Sequence, residues 1–259
     1  MPQSFWGGVV FIAEKYSTLF LNGALNTLLL AIVGTVVGFL IGLVVAIVRT
    51  IPVQPTDSFV KRAGLKVLRG IFIAYIELFR STPMMVQAMV IYYGVFSSVS
   101  PDYALYVGMF VISINTGAYM AEIVRGGVIS VDSGQTEGAV SIGMTHWQTM
   151  TSVVLPQAIR NIMPSIGNEF VVNIKDSSVL SVISVAEVFF TAKSAAGTYM
   201  RFFEAFVIAC VVYFVMTFTI TRILLLLEKK MDGPKNYTIH GSQTTPDAEI
   251  RVNGGGRDK

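Results

Sequence analysis

The sequence predicts an all-α integral membrane protein with five membrane-spanning helices, its N-terminus outside and its C-terminus in the cytoplasm. Three observations predict it. Hydrophobic residues make up 53% of the 259 positions and charged residues only 14%, whereas soluble domains carry roughly a quarter charged residues. Residues 16–48 contain no charged side chain, and one span needs about 20 apolar residues. Lys and Arg are unevenly spread: Arg49, Lys61, Arg62, Lys66, Arg69, Arg80, Arg125, Arg160, Lys229 and Lys230 fall between or after the spans on one side, and Lys15, Lys193 and Arg201 on the other. Cytoplasmic loops collect basic residues, so the first group marks the inside.

The elements follow in order. Residues 1–21 are a lead-in with Phe5 and Trp6 as interfacial anchors, and the first span covers about 22–48. Along it Gly34, Gly38 and Gly42 recur every four residues, a spacing that lets another helix approach closely, either within the monomer or from a second subunit. After Pro52 and Pro55, residues 60–79 have the mixed basic and apolar pattern of a helix lying at the membrane interface. A second span is expected at 82–99, where Pro83 is tolerated in the first turn. A third, at 103–121, contains the polar Ser113, Asn115, Thr116 and Tyr119. The fourth, at 159–188, carries Asn168, Glu169, Asn173, Lys175, Asp176 and Glu187. An ionisable group costs at least about 2.5–3.5 kcal/mol at the bilayer centre, so these must face the protein interior, a water-filled cavity or a membrane surface. On a helix Glu169, Asn173 and Asp176 share one face, and Asn168 and Lys175 share another. Residues 191–201 are expected outside and the fifth span at 202–227, stopped by Glu228, Lys229 and Lys230. The tail at 228–259 is polar and Gly-rich, the composition of a disordered segment.

Between the third and fourth spans lies a polar-rich island, residues 132–158, that reads as two short helices joined at a glycine. Asp132 with Gln135, and Thr145 with Gln148, have capping-box spacing. Gly143 suits a left-handed stop to the first helix. Trp147, Met150 and Val154 fall on one face of the second, which Pro156 ends or kinks. Such a hairpin either joins two spans at the interface or docks on a partner. A DNA-reading role is disfavoured by Glu137 and by the scarcity of basic residues around it.

Four segments resemble those of a known family. Glu137-Gly138-Ala139, then Gly143, then Val153-Val154-Leu155-Pro156 resembles the EAA loop of bacterial ABC import permeases, with Gly138 and Val153 as departures. The stretch from Glu77-Leu78-Phe79-Arg80-Ser81-Thr82-Pro83 to Val86-Gln87 resembles a segment of polar amino-acid permeases, with Ser81 in place of Gly. Tyr119-Met120-Ala121-Glu122 with Arg125-Gly126-Gly127, and Lys175-Asp176-Ser177-Ser178-Val179, are similar to two more. The resemblance covers about residues 22–227 and implies the ABC importer type I permease fold, with no cofactor in this chain. It implies that two copies of an ATPase subunit, which binds ATP and Mg, dock on Glu137, Gly138, Ala139, Gly143, Leu155 and Pro156. It further implies a second permease subunit, identical or paralogous, an extracellular amino-acid-binding protein and a polar amino acid as substrate. Asn115, Asn168, Glu169, Asn173, Lys175 and Asp176 are the candidate lining of the substrate path.

Other chemistry finds no support. No G-x-x-x-x-G-K-[ST] stretch cradles a nucleotide. His146 and His240 are the only histidines and Cys210 the only cysteine, so no metal-ligand spacing or disulfide framework exists. The N-terminus lacks the basic stretch and small-residue cleavage site of a signal peptide. The expectation is a transport subunit in the bacterial inner membrane, contacting lipid and no nucleic acid. An ion-coupled secondary transporter using Glu169, Lys175 and Asp176 is the alternative, against which stand the few spans and the lack of inverted repeats.

Overall fold

A computed structural model describes residues 4–51, 53 and 58–231. The expected breaks at residues 52 and 55, and the tail beyond residue 231, lie outside them. The described residues form helices and no strand. A short helix α1 (Phe5–Lys15) is followed by α2 (Ser17–Thr50), α3 (Phe59–Ser81) and α4 (Met84–Val90), which widens into a π-helical turn at Ile91–Val95. Next come α5 (Ala104–Ile129), α6 (Ser133–Ser141) and α7 (His146–Thr149), a second π-helical turn at Met150–Val154, and α8 (Leu155–Asp176). A 3₁₀ stretch at Ser177–Ile183, α9 (Val188–Tyr199) and α10 (Phe202–Met231) complete the order. Three segments, Ser17–Thr50, Pro101–Ile129 and Phe202–Lys230, are long and apolar enough to cross a membrane. His146–Ile183 with Val188–Tyr199, bent by 50°, makes up to four.

The centre of the bundle is the pair α2 and α5. Gly34, Gly38 and Gly42 form a flat stripe on α2, and the Ile112, Thr116 and Met120 side chains of α5 lie against it. A methyl group added at Gly38 would come 2.9 Å from Thr116 Cβ, so the glycine spacing serves packing within this chain. Leu30, Val111, Ile112, Leu180, Ile183 and Val185 close the core on one side of this pair. Ile12, Phe20, Val188, Ala195 and Ala205 form a second core that ties α1 and α9 to α2 and α10.

Several boundaries differ from those expected at 22–48, 82–99, 103–121 and 159–188. The lead-in at 1–21 contains α1, and the first long helix starts at Ser17, because the chain bends only at Tyr16 and Ser17 Oγ donates to Glu14 O at 2.9 Å. The second segment is helical only over Met84–Val95. The third runs on to Ile129, since Glu122 pairs with both Arg125 and Arg49, and Gly127 lets Ile162 approach. The fourth does not hold one helix to residue 188. Ser177 and Ser178 turn their hydroxyls onto the carbonyls of Ile174 and Lys175, at 2.9 and 2.7 Å, and the helix tightens to 3₁₀. Ser184 then adopts φ 64° and the chain turns by 50° into α9, where an outer loop at 191–201 was expected. Nor does Pro156 end the hairpin's second helix. It sits in the first turn of α8 just after the π-helical turn, whose wider ring accommodates a residue without an N–H.

Candidate functional site

The first candidate is the hairpin of α6 and α7. Asp132 caps α6 by accepting from the Gly134 N–H at 2.7 Å, but Gln135 does not reach back to complete the box. The end of α6 is a full Schellman motif. Met144 N–H donates to Ala139 O at 3.1 Å and Gly143 N–H to Val140 O at 3.0 Å, with Gly143 at φ 84°. Thr145 and Gln148 form the predicted reciprocal box: Gln148 N–H reaches Thr145 Oγ1 at 3.3 Å and Thr145 N–H reaches Gln148 Oε1 at 2.9 Å. Both turns of the hairpin are therefore fixed locally.

Ala139, Met150 and Val154 make the buried inner face. Trp147, expected with Met150 and Val154, instead stands 65% exposed, beside Ile142 at 79%. Glu137, Gly138 and Gly143 are exposed with them, Pro156 is exposed at the hairpin base and Leu155 is half-buried. The outer side of the hairpin thus presents the Glu137 carboxylate together with the large apolar Ile142 and Trp147 side chains. Behind it, Glu122 accepts from Arg49 of α2 and from Arg125 Nε at 2.9 Å, joining the ends of α2 and α5 above the loop. Asn161 of α8 donates to Ser130 Oγ at 3.1 Å and ties the hairpin base to the bundle.

The second candidate is the polar interior. The structure divides the predicted path residues into three groups. Asn168 and Lys175 lie on the exposed face of α8. Asn173 is fully engaged between helices: it accepts from Thr116 Oγ1 and donates to Thr35 Oγ1, both at 2.9 Å, linking α2, α5 and α8. Asn115 donates to Gln87 Oε1 at 2.8 Å. Glu169 is different. It is 5% exposed, and among the described residues its carboxylate has neither hydrogen bond nor ion pair. The charged groups close enough to act on it are the half-buried Asp176 and the exposed Arg80. Arg80, on the last turn of α3, stands over the Tyr119 ring with its Cζ 5.6 Å from the centroid. Glu169 and Asp176 are therefore within electrostatic reach of the exposed Arg80 that covers the half-buried Tyr119, while Asn168 and Lys175 face outward.

Arg80, Tyr119 and Gln87 were not among the predicted path residues, although each stands in a segment that carries the resemblance. The signal available was Arg80 adjoining a Thr-Pro break, a basic group set beside apolar sequence. Among the described residues, no cluster of His, Cys, Asp or Glu is arranged to hold a metal ion.

The chain is similar to known proteins along most of its length. The probable amino-acid permease protein YxeN of Bacillus subtilis is 35% identical over 180 residues, which is 68% of this chain and 80% of that one. The glutamine transport system permease protein GlnP of Escherichia coli is 33% identical over 177 residues, 67% of this chain and 80% of GlnP. A chain from the crystal structure of an amino acid ABC transporter with histidines superposes with a TM-score of 0.74 at 36% identity, covering 89% of this chain and all of that one. The inward-facing MetNI methionine ABC transporter, at 16% identity and a TM-score of 0.67 over 85% of this chain, shares the fold. Residues 58–233 match the family described as binding-protein-dependent transport system inner membrane component, and the chain belongs to that family.

Proposed function

We propose that this chain is the permease subunit of an ABC importer that moves a polar amino acid into the cytoplasm. The observation that carries the substrate class is the buried, unpartnered carboxylate of Glu169, within electrostatic reach of the exposed Arg80 guanidinium. A zwitterionic amino acid brings an ammonium and a carboxylate, and each finds its opposite there. Asp176 adds a second negative group, which favours a substrate with further positive charge. The names and likeness of YxeN, GlnP and the histidine-containing transporter support the same class.

Transport is driven by a separate ATPase, present in two copies, that holds ATP and Mg and docks on the outer side of the hairpin around Glu137, Gly138, Gly143 and Pro156, while Ala139 and Leu155 seat the hairpin on the bundle. The exposed Ile142 and Trp147 supply the apolar contact, and Glu137 the polar one. An extracellular binding protein delivers the amino acid, and a second permease subunit, identical or paralogous, completes the pathway. In this reading five spans cross the membrane: α2, a broken span made of α3 and α4, α5, α8 with its 3₁₀ extension, and α10. The N-terminus lies outside and the tail inside, as the Lys and Arg distribution requires.

The test is reconstitution with the ATPase and binding protein in proteoliposomes, reading amino-acid uptake and ATP hydrolysis together. Glu169→Gln keeps the shape and removes the charge. Uptake should fall, or change in selectivity, while assembly and basal ATP hydrolysis persist. Unchanged uptake of every amino acid tried would remove Glu169 from the path.

A further inference from the structure

The break between α3 and α4 is held by a side chain that no motif singles out for the purpose. In an unbroken helix the N–H of residue 83 would donate to the carbonyl of Phe79, but Pro83 has no N–H. A carbonyl left open inside a membrane protein has no water to satisfy it and needs another donor. Gln87 supplies it: Gln87 Nε2 donates to Phe79 O at 2.9 Å. The same amide nitrogen reaches Thr82 O at 2.9 Å and Thr82 Oγ1 at 2.8 Å, and Thr82 Oγ1 in turn donates to Leu78 O at 2.7 Å. Asn115 of α5 donates to Gln87 Oε1 at 2.8 Å, which orients the amide so that its N–H groups face the break, and the Asn115 nitrogen also reaches Phe79 O at 3.4 Å. Gln87 and Asn115 are both 8% exposed, so these bonds are shielded from competing water. The carbonyl restored by Gln87 belongs to Phe79, the residue immediately before Arg80.

Building on the reading of Arg80 and Glu169 as the groups that meet the amino acid, we propose that Gln87, oriented by Asn115, is a positioning residue for substrate recognition. Its amide replaces the hydrogen bond that Pro83 removes and so fixes the last turn of α3, from which Arg80 meets the substrate carboxylate. Asn115 acts through Gln87, supported by its own longer bond to Phe79 O, and does not itself line the path. The α-carboxylate is common to all amino acids, so disturbing Gln87 weakens binding of different amino acids by a similar factor.

The test uses the purified permease–ATPase complex in lipid nanodiscs, with radiolabelled L-arginine and L-glutamine as probes. Gln87→Met keeps the length of the side chain and removes the amide. The expected result is a rise in Kd of about tenfold for both probes, the loss of about one charge-assisted hydrogen bond, with assembly and basal ATP hydrolysis at the wild-type level. Arg80→Gln should raise both Kd values as well, and Gln87→Met should add nothing further in that background. An unchanged Kd in Gln87→Met, or a loss that adds fully to that of Arg80→Gln, overturns the positioning role. Should Gln87→Met fail to assemble, Asn115→Leu leaves Gln87 in place but unoriented and is read by the same two criteria. A wild-type complex that binds neither probe, or Arg80→Gln and Glu169→Gln variants that both bind like wild type, overturns the reading of the site itself. An effect of Arg80→Gln without one of Gln87→Met overturns only the positioning.

Discussion

Two buried carboxylates in this bundle have opposite surroundings, and the contrast separates structure from function residue by residue. Glu187 is fully buried, yet every part of its carboxylate is used. It caps α9 by accepting from the Phe189 and Phe190 N–H groups at 2.9 and 2.6 Å, and it accepts from the Tyr213 hydroxyl of α10. Glu169, nearly as buried, has no such partner. A charge inside a membrane protein that lacks a partner is retained for a ligand or a pathway, whereas one saturated by hydrogen bonds holds the fold. Glu187→Ala therefore acts on stability. Loss of an N-cap costs about 0.5–2 kcal/mol, and the Tyr213 hydroxyl left unpaired costs about 1–3 kcal/mol more. Thermal unfolding in detergent should show a drop of about 1.5–5 kcal/mol for Glu187→Ala and a much smaller one for Glu169→Gln.

At the scale of elements, the hairpin was the most legible part of the chain and the fourth span the least. Gly143 could be read because a left-handed stop followed by a Thr-x-x-Gln box is a purely local pattern, and both features are present with the geometry expected. The α2 glycine stripe was legible as a close approach for the same reason, but its partner, the Ile112, Thr116 and Met120 row, depends on how α5 is placed. Asn173, Gln87 and Asn115 were visible as polar residues in apolar sequence. Asn173 bonds to residues 57 and 138 positions away, and Asn115 to one 28 positions away, so spacing could not distinguish a bridge between helices from a substrate contact. The break at Ser177–Ile183 was missed because it arises from serine hydroxyls bonding within an otherwise helical pattern. The hairpin also gives a clean test of rigidity. A Cβ at Gly143 would meet nothing within 4 Å, so only the backbone resists substitution. Gly143→Val carries the left-handed penalty of about 1–2 kcal/mol, while Asn tolerates that conformation. Transport coupled to ATP hydrolysis should be lost in Gly143→Val and largely retained in Gly143→Asn, with membrane insertion normal in both.

At the scale of the whole molecule the question is how these helices thread the membrane. Three long apolar helices and one bent pair meet length and composition criteria by themselves. The segment that does not is α3 with α4, where basic residues at the start and the Pro83 break dilute the apolar signal. Counting it as a broken span brings the number of crossings to five and puts the two ends on opposite faces. Counting it as a helix lying on the surface gives four crossings and puts both ends on the same face. Charge favours the first count: Lys61, Arg62 and Lys66 at the start of α3 and Glu137 in the hairpin then share the cytoplasmic side, with Lys193 of α9 opposite. The two threadings differ in where residues before and after α3 stand. With the single native cysteine replaced by serine, one cysteine at a time can be placed at Ser17, Glu137 or Lys193 and probed with a membrane-impermeant maleimide. Five crossings require labelling of intact spheroplasts at Ser17→Cys and Lys193→Cys, and at Glu137→Cys only after the membrane is opened. With four crossings and the hairpin kept inside, Ser17→Cys would be labelled only in opened membranes, because one fewer crossing separates it from the hairpin. Labelling of Glu137→Cys from outside would reverse the orientation altogether and remove the hairpin from the reach of a cytoplasmic ATPase.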